Sequence, residues 1–248
     1  VALKVYQLLV FRIKSLFFQL KDSIFPTYSS NKIGNNFNQL FSHSPQLDSL
    51  QAFPELEQLI TKTLNHEFDL LSSGWTQVSY FMNAKGIDGV QYSHKLETAP
   101  KSGEFDWISH LINASNQKKS KSLWKNVGPD YTPIDWHIDF KSGYRWNPST
   151  WWFRVPYGHK PGVDIKIPWE ISRMQHLPWL SLGYELYKSK GQYLLAQKCS
   201  DEYKNQIMDF ISTNPPRYGV NWSCPMDVAI RAANWILGYE WLSHYGWK

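Results

Sequence analysis

Ser223-Cys224-Pro225-Met226-Asp227-Val228-Ala229-Ile230-Arg231-Ala232-Ala233-Asn234-Trp235-Ile236-Leu237-Gly238 is the stretch that decides the fold class. Ser223 reads as a cap residue two before a first-turn proline, and apolar residues then keep helical spacing to about His244. Two further helices precede it. One fits 191–212, with Leu194, Leu195, Cys199, Tyr203, Ile207, Phe210 and Ile211 on one side, and Asn214-Pro215-Pro216 stops it. The other begins at Pro168 and continues to about Ser189. Pro178 is expected to kink or split it, because proline removes a backbone donor and crowds the preceding turn. Three helices joined by short turns imply antiparallel hairpins.

Upstream the pattern changes. From Ser72 to about Pro161 Gly, Pro, Asn and Trp are frequent and no long helical period survives, so short helical turns and a few short strands are expected. Residues 54–68 keep helical spacing through Leu56, Leu59, Ile60, Leu64 and Phe68, behind Pro54. Residues 22–52 are rich in Ser, Asn and Gln and read as an irregular linker. At the start, apolar residues at 5, 9, 13, 16, 17 and 20 alternate with Lys4, Arg12, Lys14 and Lys21, the pattern of an amphipathic helix. Arg12 and Lys14 interrupt what would otherwise resemble a signal peptide, and the run is too short and too charged to span a bilayer. The helix is expected to dock on the body of the protein rather than on a membrane. The organisation expected is an amphipathic helix and linker over 1–52, then a helical domain over 53–248. With Val1 first and Lys248 following an aromatic, helix-like segment, the chain is expected to be a fragment of a longer protein.

Composition narrows the function classes. An apolar fraction of 42% against 19% charged excludes disorder as the dominant state. Cys199 and Cys224 are too few for a disulfide framework, leaving one bridge or two thiols open. Aromatic residues reach 16%, with 13 Trp, more indoles than a soluble core needs and suited to stacking on flat or sugar-like ligands. A net charge of +5 favours anionic partners such as acidic polysaccharide, nucleic acid or a membrane surface. Nucleic acid is not the expected one, because the densest cationic run, Lys118-Lys119 with Lys121, reads as a solvated loop. No P-loop, Rossmann fingerprint, zinc-ligand motif or nucleophile elbow occurs, and neither cofactor nor metal is expected.

Two polar stripes draw attention. Asp227, Arg231 and Asn234 lie at i, i+4 and i+7 on the last helix, with Gly238 on the same line. Trp169, Arg173 and His176 repeat that spacing on the first, with Glu170 beside them. Either stripe can be a solvated face or the wall of a cleft. In the cleft reading the arginines offer planar forks to carboxylate or sulfate, Trp169 offers a ring face, and His176 titrates near neutrality. Asn221 and Trp222 stand before the last helix, whose N-terminus suits an anion. Asp135-Trp136-His137-Ile138-Asp139-Phe140, with Gly143, Tyr144, Arg145 and Trp146 following, reads either as a sugar-site wall or as a strand whose Asp135, His137 and Asp139 face solvent. Metal binding by that trio has no characteristic ligand spacing behind it.

The stretches 167–177, 214–222 and 226–235, together with Asp135-Trp136 and 142–146, resemble bacterial heparinase II/III-like proteins, of a branch associated with surface-polysaccharide loci. The resemblance covers about 130–245 and is faint before it. It implies an incomplete (α/α) toroid, followed in the family by a β-sandwich domain, and a periplasmic or cell-envelope location. It also implies action on acidic, uronate-containing polysaccharide by β-elimination. The family's catalytic Asn, Tyr and His lie beyond Lys248, so no catalytic residue is carried over. Trp169, Arg173, His176, Asn221, Trp222, Asp227, Arg231 and Asn234 are expected to bind or position sugar. Two rivals remain open: a non-catalytic glycan-binding or assembly protein, and an (α/α)-barrel glycosidase, for which Glu170 and Asp227 would be the carboxylate pair.

Overall fold

The computed structural model describes residues 2–29, 40, 44–46, 50, 53–80, 82–93 and 106–246. Much of the expected 22–52 linker lies outside them. The chain is mainly helical. Helix α1 (Ala2–Ile24) is followed by α2 (Leu56–Leu64), which stops short of the expected Phe68. His66 takes a positive φ of 54°, turning the chain so that β1 (Glu67–Phe68) pairs antiparallel with β2 (Thr76–Gln77). A single turn, α3 (Asp106–Ser109), and α4 (Ala114–Trp124) precede the aromatic-rich segment. The Lys118–Lys121 run therefore lies on a helix and not in a loop. Its lysines point to solvent while Asn116, Ser120 and Trp124 face inward.

Pro178 splits the next helix. Met174 adopts φ 54°, α5 (Lys166–Ser172) ends, and α6 (Leu177–Ser189) begins with Pro178 in its first turn, where a missing N–H costs nothing. α7 (Tyr193–Thr213) and α8 (Pro225–His244) complete the body. The N-cap of α8 is Cys224 rather than Ser223, whose hydroxyl instead donates to the Val220 carbonyl at 2.6 Å. Contact pairs give the directions. His176 meets Gln206 and Gly183 faces Cys199, so α6 and α7 run antiparallel. Tyr203 bonds the Trp235 carbonyl while Phe210 lies against Arg231, so α7 and α8 are antiparallel too. Ser181 reaches Gly238 and Lys188 reaches Tyr245, the parallel pairing of α6 with α8 that two successive hairpins require.

The main core joins these helices to the irregular segment. Ile134, Trp136, Ile138 and Phe140 pack with Ile171, Met174, Leu177, Leu180, Phe210 and Leu242. Helix α7 departs from its expected apolar side at the N-terminal end. Leu194 is 89% exposed, whereas Cys199, Tyr203 and Phe210 are buried as expected. The rest of its inner face is polar, with Gln206, Asp209, Ser212 and Thr213 all buried. Both cysteines are free thiols, and burial pushes that of Cys199 up to about 12.

Candidate functional site

Seven of the eight residues singled out converge where α5, α8 and the 214–223 turn meet. Arg173 Nε donates to Asp227 Oδ1 at 2.6 Å, and its Nη1 donates to Glu170. Asn234 Nδ2 donates to the Arg173 carbonyl at 2.9 Å. Arg231 is 2% exposed; Nη1 donates to the Ser172 carbonyl at 3.0 Å and Nη2 to the Asn221 carbonyl at 3.1 Å. Its guanidinium lies 4.3 Å from the Phe210 ring centroid and 5.3 Å from that of Trp222. Burial pulls its pKa down to about 10, against the nearby Asp227 charge, so it stays cationic at neutral pH. Asn221 Nδ2 bonds both Trp136 O and Asn214 Oδ1, each at 2.8 Å. Trp169 Nε1 donates to the Val220 carbonyl at 3.0 Å and Trp222 Nε1 to the Asn214 carbonyl at 3.1 Å.

The two stripes thus meet each other across a closely packed helix junction. α8 is inverted relative to an ordinary amphipathic helix: Asp227 and Arg231 point inward while Ala229, Ala232, Ala233 and Ile236 face solvent. Arg173 is partly open, with 17% of its side chain exposed, as are Trp169, Trp222 and Asn234. Two buried acceptors, Asn221 Oδ1 and Asp227 Oδ2, have no hydrogen-bond partner among the described residues.

His176 is the residue not brought in. Its Nε2 bonds Gln206 Oε1 at 2.7 Å and its ring stands edge-on to Phe68, centroids 4.8 Å apart. Burial pulls its pKa down to about 4, so it is neutral at pH 7 and a weak proton acceptor. Gln206 also donates to Glu202, which His66 contacts at 2.6 Å. Nearby, Asp209 Oδ2 accepts from Tyr131 Oη, the Ile134 N–H and Trp136 Nε1, each at 3.0 Å, and burial nonetheless raises its pKa to about 7. This carboxyl pins the irregular segment onto α7, and no spacing in the sequence marks it.

The alternating trio of that segment is not solvent-facing. Asp135, His137 and Asp139 are all fully buried, because helices cover one side of the strip and the 82–92 and 142–164 loops cover the other. Asp135 pairs with Arg145 at 2.5 Å. Asp139 ties the following turn by accepting from the Lys141 N–H at 3.0 Å, the Ser142 hydroxyl at 2.5 Å and the Asp164 N–H at 3.1 Å. Among the described residues no group of three His, Cys, Asp or Glu could hold a metal ion.

That turn builds a surface cluster the stripe reading overlooked. Gly143 has φ 83°, and a Cβ there would lie 2.2 Å from the Tyr92 carbonyl, so only glycine lets the 142–144 turn press against residue 92. Tyr144 consequently stands edge-on to Tyr92, centroids 5.5 Å apart, with its hydroxyl 3.0 Å from His159 Nε2. The Lys160 ammonium lies 5.8 Å from the Tyr92 ring and 5.9 Å from the Tyr144 ring. His159 and Lys160 are exposed, as is Tyr157 at 74%. The aromatic excess was the signal available; the partners come from segments some 50 residues or more from residue 92 and carry no shared motif.

Compared with known proteins, the chain matches no family model, no curated protein and no solved structure.

Proposed function

We propose that this chain is the helical, toroid-type part of a heparinase II/III-like protein that acts on acidic, uronate-containing polysaccharide. In this reading β-elimination is carried out by the full-length protein, and the stretch described supplies recognition. The observation that carries the reading is the surface cluster of half-buried Tyr92 and Tyr144 with exposed His159 and Lys160. It combines aromatic rings for a pyranose with a cation for a uronate carboxylate, and one of its members, Tyr144, falls within the 142–146 stretch that carries the family resemblance. The Arg173–Asp227–Arg231 junction then holds the helices that frame the surface. His176 is not poised as a base, since burial lowers its pKa to about 4 and its Nε2 is taken up by Gln206. Glu170 and Asp227, which a glycosidase would need facing each other across a cleft, are instead both bonded to Arg173. That bridging argues against hydrolysis by this pair.

Calorimetric titration with uronate oligosaccharides and neutral analogues of equal length tests this. The chain is expected to prefer the uronates and to release no unsaturated product. Lys160→Ala with Tyr144→Ala is expected to weaken binding about 10-fold or more, since a charge-assisted hydrogen bond contributes ~1.5–3 kcal/mol. Equal binding of neutral and acidic sugars, or none at all, would contradict the proposal.

A further inference from the structure

Helix α1 is attached to the body by its polar side. Asp22, the only acidic residue on the helix, is buried and takes both a 2.7 Å and a 2.6 Å hydrogen bond from Arg217, plus one of 2.9 Å from Trp151 Nε1. Its carbonyl accepts from Ser115, and just beyond the helix Thr27 bonds Asn116. Further toward the N-terminus the inner side is loosely filled. Phe11, Ser15 and Phe18 face Trp151, Trp152 and Phe153 across a cavity of about 420 Å³.

The outer side is apolar. At roughly 100° per residue, Val5, Leu9, Ile13, Leu16, Phe17 and Leu20 fall within an arc of about 120°, opposite Phe18 and Asp22. Each is more than half exposed. Arg12 borders one edge of this stripe; Lys14 and Lys21 lie past the other edge, where their stems also line the cavity, and with Lys4 these four cations are all exposed. The open surface of α1 is therefore a long apolar stripe flanked only by positive charge, its one carboxylate being buried under Arg217. None of the described helices is long and apolar enough to cross a membrane.

We propose that α1 is an interfacial helix that lies flat on an anionic lipid surface. Its apolar stripe enters the acyl boundary, and Arg12, Lys14 and Lys21 extend from the flanks to lipid phosphates. Charge complementarity selects this occupant. A proteinaceous groove would need acidic rims to match both flanks, whereas an anionic leaflet offers them everywhere along the helix. The expected docking of the helix on the body holds for its C-terminal end and for the Phe11–Phe153 ring contact, and the stripe is left for the lipid.

Flotation of the full chain with vesicles of phosphatidylcholine, alone or mixed with phosphatidylglycerol, tests the proposal. The chain is expected to float with the mixed vesicles, less with the neutral ones, and less again as salt is raised. Ile13→Glu with Phe17→Glu is expected to cut partitioning at least about ten-fold, and Lys14→Glu with Lys21→Glu to abolish the preference for phosphatidylglycerol. Unchanged far-UV circular dichroism and melting of both variants would show that they remain folded. Failure of the parent chain to float with either vesicle would overturn the proposal. So would flotation that survives the Ile13/Phe17 change, or a dimer in lipid-free solution that dissociates on that change, since a second copy would then own the stripe.

Discussion

α8 and α1, of 20 and 23 residues, both turn polar residues toward the body and leave apolar residues outside, yet for opposite reasons. In α8 the inward polar stripe is occupied along its length. Asp227 meets Arg173, Arg231 meets two carbonyls and two ring faces, and Asn234 meets the end of α5. What α8 exposes is the alanines 229, 232 and 233 together with Met226, Ile236 and Tyr239, fewer large groups than α1 presents. In α1 the inward side has one strong anchor, Asp22, then a cavity closed by the Phe11–Phe153 ring contact, while the outward side carries large aliphatic and aromatic groups. The contrast separates a helix whose inversion serves packing from one whose inversion leaves a surface to be covered.

The largest effect should come from α8. Arg231→Ala strips two carbonyls of their donor, leaves Asp227 in a less positive surrounding and opens a gap between Phe210 and Trp222. A loss of about 3–5 kcal/mol is expected from chemical denaturation. A loss below that of an ordinary surface change would mean the stripe is not a structural tie.

Next in size is a pH effect at the α7 junction. Asp209 has its folded pKa raised to about 7, so between the unfolded carboxyl value near 4 and pH 7 the native state binds the extra proton, and stability falls as pH rises. His176 and His137 have folded values lowered to about 4 and about 3, so in them the unfolded state binds the extra proton below 6.5 and stability rises with pH. Asp209→Asn removes the opposing contribution. Its melting temperature should therefore climb more steeply than the parent's from acid to neutral pH, by on the order of a few kcal/mol in stability. Parallel curves would show that Asp209 titrates alike in the folded and unfolded chains.

Smaller again is Gly238→Ala. The added Cβ would sit 2.5 Å from Tyr203 Cε2, whose hydroxyl is fixed on the Trp235 carbonyl, so about 1–3 kcal/mol should be lost in thermal or urea unfolding. At the bottom of the scale, Ile13→Glu with Phe17→Glu on α1 should change lipid-free stability by no more than ~0.5 kcal/mol, since both side chains are exposed. A large loss would place the stripe against the body after all.

The helical body was legible because its punctuation is local: Pro178, Asn214-Pro215-Pro216 and Pro225 mark ends that the backbone obeys whatever packs around them. The convergence of Arg173 with Asp227, Arg231 and Asn234 was legible from two stripes of matching period. The sense of that convergence was not, since period fixes which residues share a face but not what the face meets. Asp135, His137 and Asp139 alternate as a solvent-facing strand would, yet a segment covered on both sides buries both sets; Arg145 and Ser142 compensate the two carboxylates from ten residues and three residues away, while the His137 ring stays neutral with no hydrogen-bond partner among the described residues. The surface cluster of Tyr92, Tyr144, His159 and Lys160 is assembled by a glycine turn from separate segments, and such juxtaposition exists only once the chain is folded.

Native-state amide hydrogen exchange, read segment by segment with and without phosphatidylglycerol-containing vesicles, tests the contrast between the two helices most directly. The amides of α8 should be protected to near the global limit and be indifferent to lipid, while those of the first half of α1 should exchange readily in solution and slow on vesicle addition. Equal protection of both helices without lipid, or an α1 whose exchange vesicles leave unchanged, would contradict the account.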